Sequence, residues 1–531
     1  MLAILFTACS SVPVPTVDDP ASQGDVTADT ADTGDSADSA DSADSADSAD
    51  TGDTGDTGDT GEAPPTFDES FDVIVVGSGP AGTATALSAI DAGAHVVLLE
   101  KVETPGLGMR LGGIAYGAMT QWQVDEGMED SLALAQAAWT EKTGVDGTTD
   151  SVTRFIEGSA ATLEWIVAHG GEVVMLGADS EEGEITRTHR LGWPGDLSPF
   201  EIAVGESGLD VRPSTTVLDP IQYRGAVVGV TVEVGGETKR YGADAVVIAT
   251  GGFLRDLDTV ARYRPEVAAL GPVYETNPGS TGDAVPFMEQ VAADWHAPEV
   301  MGVYVHSVPD PRASGEALLL EVPAYILVGA DGRRFVAEGS LGSYDIIASA
   351  PATGVWILSA YDEMDVVTFS PPGFNWADPV DPERYTADEV IAFGSGDVFA
   401  ADNLADAVTM SGISVDAITE LNDYNDLALA GAPDPVGGQT LAASDMVDGA
   451  HWVVAALRPG LAKNFGGVRT DVQGRVLTDT GAEVPGLWAV GEVAGMVPGG
   501  GSGTGFDGSV GACYYGGLVA GADAAAYAAA R

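Results

Sequence analysis

"FDVIVVGSGPAG", residues 71–82, decides the fold. An apolar run, Phe71–Val76, enters Gly77-Ser78-Gly79-Pro80-Ala81-Gly82 and continues into an alanine-rich helix predicted over Ala81–Ala92. An unbroken apolar strand suits a parallel sheet covered on both faces. Gly77 permits a tight turn, Gly79 lets the backbone approach a pyrophosphate, and Gly82 lets the helix close on the strand. Pro80 and Ala81 open that helix, whose N-terminus favours phosphate. "HVVLLE" then supplies a second strand ending on Glu100, 18 residues beyond Gly82, where a carboxylate meets ribose hydroxyls. Strand, loop, helix, strand and acid in register predict a dinucleotide site. NAD and FAD remain open at this point.

Two later stretches separate them. "GADAVVIATGGF" (242–253) is an apolar strand ending in Ala249-Thr250-Gly251-Gly252, after a hairpin pattern turning at Gly235-Gly236. "GLWAVGEVAG" (486–495) is another strand that ends in glycine, and a glycine-rich loop then feeds an alanine-rich C-terminal helix. A single NAD site does not need glycine-ended strands spread so far apart; an extended FAD does. Gly491 and Glu492 fall where a carboxylate takes ribityl hydroxyls. The last helix directs its N-terminus at the flavin N1/C2 carbonyl.

The chain resembles the flavoprotein family of fumarate reductases, succinate dehydrogenases and 3-ketosteroid dehydrogenases. The resemblance rests on "VIVVGSGPAG", "LLEK" (98–101), "LGGIAYGA" (111–118), "VIATGGF", "STGDAVPFME" (280–289), "ILVGADGRRFVAE" (326–338), "NFGGVRTD" (464–471) and "VPGLWAVGEVAG" (484–495), in family order over 71–531. It implies an α/β chain with a discontinuous Rossmann-like FAD-binding domain at 70–285 and 441–531. An α+β cap at 286–440 is inserted between them. It also implies cofactor contacts from Lys101, Gly112, Gly113, Asp283, Ser502 and Gly503, with Gly77, Gly79 and Gly82 on the pyrophosphate. In the succinate dehydrogenase branch a His shortly before "GGI" bonds the flavin covalently. Residues 101–111 contain no His, so the expected FAD is non-covalent.

At the substrate end the sequence departs from fumarate reductases, whose pattern implies Arg ligands for two carboxylates. Gly342 stands at the spacing of the proton-donating Arg, no Arg occurs from 335 to 383, and "GEVAGMVPGGGSGTG" lacks the second Arg. Ala462-Lys463 replaces a His pair. A buried dicarboxylate without its cations costs several kcal/mol, on the order of 3–5. The 3-ketosteroid dehydrogenase branch is closer at Tyr344, six residues after Glu338, and at Pro498-Gly499-Gly500-Gly501, although Val497 replaces that branch's Tyr. The expected reaction is hydride exchange between flavin N5 and a CH–CH or C=C bond beside a carbonyl. It needs a proton-transferring group and ketone-polarising donors. Candidates are Tyr344, Tyr116, Lys463 and His306, the last where the family often has "HPT". Each also reads as an ordinary packing or surface residue. An unsaturated-carboxylate reductase using Arg312 and Lys463, or a non-catalytic surface flavoprotein, are the alternatives.

Composition bounds the rest. The 531 residues carry 81 acids against 22 bases, a net charge of −59. Residues 1–70 hold 17 acids and no Lys or Arg, leaving −42 on residues 71–531. Such a surface repels nucleic acid and anionic lipid, and suits a salty milieu that screens self-repulsion. Two cysteines, Cys9 and Cys513, give no CxxC, CxxCH or cysteine zinc set, and six scattered His give no HExxH. No metal site is expected, and the electron donor or acceptor must be a separate partner. "MLAILFTACSS" reads as a shortened lipoprotein-type signal (1–9) with Cys9 the acylated residue, which would tether the protein in the cell envelope. Residues 10–69 follow as an acidic linker in which Asp recurs every third residue from Asp29 to Asp59. That repeat lacks the mixed ligands of a calcium loop and has nothing apolar to bury, so it reads as a disordered tether.

Overall fold

Four strand ends converge on one edge of a parallel sheet. β1 (Glu69–Val76) lies between β2 (Val96–Leu99) and β3 (Glu237–Ile248), and β7 (Glu483–Ala489) lies beyond β3, all parallel. Val73–Val76 and Val96–Leu99 are buried throughout, as a two-sided parallel sheet demands. Asp210–Arg212 extends the sheet beyond β2, and Arg475–Leu477 joins β7 antiparallel. The Gly235-Gly236 hairpin forms as expected, joining Ala226–Val234 to β3. The computed structural model describes residues 63–111, 113–176, 185–193, 198–337, 346–347, 349–362, 367–370, 384–495, 497 and 508–531, without the side chains of 110 and 111. Residues 66–531 belong to one compact unit.

Close backbone contacts explain the glycines. Gly77 has φ +100°, and a Cβ there would stand 2.5 Å from the Ala249 carbonyl oxygen. Gly82 lies in α1 (Pro80–Asp91), where a Cβ would stand 1.9 Å from the Gly77 carbonyl oxygen. α2 (Ser509–Ala529) packs against α1 through Gly517 and Gly521, whose added Cβ atoms would meet the Ala81 and Thr85 carbonyl oxygens at 2.3 and 2.4 Å. Ser88 Oγ donates to the Leu518 carbonyl at 2.8 Å across this seam.

A second, mostly antiparallel sheet is organised by β6 (His451–Asn464). Its first half pairs with Val355–Tyr361 on one side and Val398–Ala401 on the other. Its second half pairs with β5 (Met301–Pro309) and, parallel, with the two-residue β4 (Val273–Tyr274). This sheet therefore draws strands from both sides of the 286–440 segment. The "DGRRF" turn is fixed by Arg334, bidentate to buried Asp434 at 2.9 and 2.8 Å and over the Tyr424 ring. No described helix is long and apolar enough to cross a membrane.

Gly517→Ala is expected to lose about 1–3 kcal/mol in chemical denaturation, because its methyl meets backbone that cannot yield. Gly79 has φ −67° and nothing within 4 Å of an added Cβ. Gly79→Ala is expected to keep stability within about 0.5 kcal/mol while weakening cofactor retention.

Candidate active site: a dinucleotide cleft at the strand ends

The cleft sits where β1, β2, β3 and β7 end, at the switch in strand order that α/β sheets use for ligands. Gly77, Gly79, Pro80 and Ala81 line it from β1 and α1, Glu100 and Lys101 from β2, Ala249, Thr250 and Gly251 from β3, and Gly491 and Glu492 from β7. Ala462 and Lys463 enter from β6, Asp283 from the 276–284 loop, and Ser509, Val510 and Cys513 from α2. Glu100 is held by Ser78, whose N–H and O–H donate to Oε2 at 3.1 and 2.5 Å, and by the Val102 N–H, 3.0 Å from Oε1.

Three observations fit FAD to this cleft. Gly79 and Gly508 cap α1 and α2 without any side-chain cap bond, so both helices offer first-turn N–H groups to anionic atoms. The space before Gly79 is open, as a pyrophosphate approach requires. Thr250 Oγ1, on the wall, is buried with no partner among the described residues, an orphan that a bound polar group would satisfy.

The charged wall groups differ in state. Lys101 Nζ is engaged by Asp283 at 2.6 Å, Thr281 Oγ1 at 2.5 Å and the Gly279 carbonyl at 2.9 Å. Lys463, half-buried, has its Nζ 5.3 Å from the Phe465 ring centre, with no hydrogen bond or ion pair among the described residues. Burial pushes the Glu492 carboxyl up to about 7, against N–H groups from Asn464 and Gly252 and the field of Lys463. The Asn464 N–H donates to Oε1 at 2.8 Å. Burial pushes the Cys513 thiol up to about 12. That leaves it a poor nucleophile.

Several sequence-predicted residues are placed elsewhere. Gly82 is not on the wall; it serves the contact with Gly77. Gly252 lies behind the wall, where a Cβ would meet Asn464 Oδ1 at 2.1 Å and Glu492 Oε1 at 2.5 Å. Gly113 packs beside Leu191 and Val510. Tyr116 sits in an aromatic core with Trp139 and Phe155 at 5.7 and 5.6 Å, its hydroxyl without a partner among the described residues. Burial raises that phenol far above its ordinary range, so it is no proton-accepting base there. His306 stacks on Tyr304 at 5.3 Å and approaches Glu275, off the cleft wall. Gly112, Tyr344, Ser502 and Gly503, with the Pro498–Gly501 loop, lie outside the described residues. Arg312 is bidentate to Asp310 at 3.0 and 2.9 Å and lies over Tyr385, away from the wall. Sequence reasoning missed Thr215, Thr216, Asn277 and Ser280 on the wall, and Glu275 beside His306. Asn277-Pro278-Gly279 was a turn signal that could have drawn attention to that loop. Among the described residues no group of three His, Cys, Asp or Glu could hold a metal ion.

This fold and cleft define an FAD-dependent oxidoreductase. Residues 72–506 match the family model for the FAD binding domain, and the chain belongs to that family. It is 29% identical over 489 residues to a urocanate reductase of Eggerthella lenta, covering 88% of this chain and 76% of that one. A flavocytochrome c3 fumarate reductase in an open conformation superposes with a TM-score of 0.64 at 23% identity, covering 87% of this chain and 79% of the other. A 3-ketosteroid delta1-dehydrogenase from Sterolibacterium denitrificans gives 0.66 at 17%, covering 86% and 100%.

Thr250→Val raises the melting temperature of the FAD-free protein by removing an orphaned hydroxyl, and weakens FAD binding about 2- to 10-fold in equilibrium titration, the worth of one neutral hydrogen bond. Glu492 has its folded pKa raised, so its contribution is fully present below the unfolded value of 4.5 and is lost as pH rises through about 7. The FAD-free Glu492→Gln variant is therefore expected to gain melting temperature relative to the parent as pH rises through that window.

Proposed function

We propose that the protein exchanges hydride between FAD and a C=C bond conjugated to one carbonyl-type group, either a single carboxylate or a ketone, and that dicarboxylates are poor substrates. The observation that carries this is the supply of positive charge. Lys101 and Lys463 are the cations on the described cleft wall, and Lys101 is already engaged. Residues 335–383 and 476–530 contain no Lys, Arg or His, so neither stretch can supply a further cation. One free ammonium matches one carboxylate or polarises one ketone oxygen; it does not neutralise two carboxylates. The urocanate reductase relative is named for an unsaturated monocarboxylate, which agrees with this reading.

Bound FAD supplies the hydride acceptor and donor. Glu100 would hold its ribose and Glu492 its ribityl hydroxyls. The N-termini of α1 and α2 would stabilise the pyrophosphate and the flavin N1/C2 edge. Lys463 orients the substrate's carbonyl-type group and steadies charge that builds on its oxygen as the double bond is attacked. The engagement of Arg312 with Asp310 argues against its use as a carboxylate ligand. A wholly neutral enone of the 3-ketosteroid kind is the second reading, favoured by the same scarcity of cations. Its candidate donor Tyr344 stays a proposal. So does a lipid tether at Cys9 in the cell envelope, with a separate electron partner.

The test is anaerobic reoxidation of the reduced holoprotein by urocanate, acrylate, fumarate and an unsaturated 3-ketosteroid. Lys463→Met is expected to slow urocanate or acrylate turnover about 10- to 100-fold in kcat/KM, the 1.5–3 kcal/mol of a charged hydrogen bond. Fastest reoxidation by fumarate would overturn the reading. Reoxidation by the ketosteroid alone, indifferent to Lys463, would select the neutral enone.

A further inference from the structure

A carboxyl and an imidazole face each other beside the cleft, outside the machinery described above. Glu275 follows β4 directly, and its N–H donates to the Leu461 carbonyl of β6 at 2.9 Å. Its side chain is 6% exposed. Ser307 Oγ donates to Oε1, and His306 Nε2 lies 3.7 Å from that same oxygen. His306 is fixed from its other side by the parallel stack on Tyr304, with an interplanar angle of 11°. The carboxyl occupies a space that exists because residue 460 is glycine. A Cβ there would stand 1.6 Å from Glu275 Oε1 and 2.8 Å from Ser307 Oγ.

The place is as specific as the geometry. Thr276 and Asn277, the next residues after Glu275, line the cleft, as do Ala462 and Lys463 just beyond Gly460 on β6. The pair thus borders the wall that carries the free ammonium. The nearby charges are already matched. On the β4 side Arg255 lies over Tyr274 and is bidentate to Glu316, and on the β6 side Arg458 pairs with Asp397. Burial alone lowers the His306 imidazole to about 4, and burial raises Glu275 to about 7 against the Ser307 bond. The two partners meet at salt-bridge distance, yet both shift toward their neutral forms. Burial of the carboxyl favours its protonated form beside a neutral imidazole over an ion pair, while the His306 side chain keeps 33% of its surface exposed.

We propose that Glu275 and His306 form a proton-handling pair for the reaction at this cleft, Glu275 being the positioning residue that holds the imidazole and resupplies its proton. This rests on the reading that the C=C bond of a conjugated substrate is reduced. Such a reduction adds a hydride and a proton. The hydride comes from the cofactor. His306 Nδ1 passes its proton toward the cleft as Nε2 takes the proton of the Glu275 carboxyl, and the pair resets when solvent returns a proton to Nδ1 and Nε2 gives its own back to the carboxylate. The 3.7 Å gap exceeds a hydrogen bond, so transfer follows a small closing of the two side chains or a bridging water.

Infrared spectra of the FAD-loaded protein, titrated without substrate, decide the pair itself. A protonated-carboxyl band with a midpoint near 7 is expected in the parent and missing in Glu275→Gln, which separates it from Glu492. His306→Gln must move that midpoint, and Gly460→Ala must abolish it by expelling the carboxyl. No band lost in Glu275→Gln, or a midpoint indifferent to His306→Gln, overturns the proposal. Anaerobic reoxidation by urocanate then tests its use. Glu275→Gln is expected to lower the rate about 10- to 100-fold below pH 7 at unchanged urocanate affinity, with no further loss in the double variant with His306→Gln. Parent-like rates at every pH overturn it. If no substrate reoxidises even the parent, the functional reading fails while the infrared titration still judges the pair.

Discussion

Asn464 joins the two large sheets. It is fully buried at the end of β6. Its N–H donates to Glu492 Oε1 at 2.8 Å, and its Oδ1 accepts the Phe253 N–H at 2.9 Å. The ends of β3, β6 and β7 are thereby fixed to one another. Gly252 has to be glycine for this knot to close. Lys463, Glu492 and the Thr250–Gly251 turn owe their common wall to it. Buried hydrogen bonds to a carboxylate are stronger than neutral ones, and the Asn464 side chain has no apolar substitute that would leave Phe253 N–H satisfied.

The electrostatics of the cleft follow from the scarcity of bases. A chain with net charge −59 has to hold a diphosphate. One of its two wall lysines is spent on Asp283. Backbone dipoles of two uncapped helices take over the task, and they do so without adding a cation that a carboxylate-rich surface would capture. Long-range repulsion of an anionic substrate by such a surface weakens as salt rises.

Much of this was legible in the sequence, for physical reasons that vary by residue. The glycines at 77, 79 and 82 each have a steric cause tied to local spacing, so the strand–loop–helix unit and its cleft could be read directly. Gly82 was partly misread as a phosphate contact because proximity in sequence does not separate packing from binding. Tyr116 is a candidate from the sequence; only packing reveals its ring within an aromatic core. Glu275 was invisible, since its significance depends on Gly460, which lies far along the chain and meets it only through the pairing of β4 with β6. The stacking of Arg312 over Tyr385 and the freedom of Lys463 are likewise tertiary facts.

FAD would be held along the four strand ends, with Glu492 and Lys463 at its flavin end and the proposed single carboxylate of a substrate beyond it. A crystal structure of the oxidised holoprotein with urocanate tests this most directly. The account predicts non-covalent FAD, its pyrophosphate at Gly79 and the N-terminus of α1, and the urocanate carboxylate paired with Lys463 Nζ. A flavin ring turned away from Lys463, or a carboxylate held elsewhere while Lys463 stays free, would contradict it.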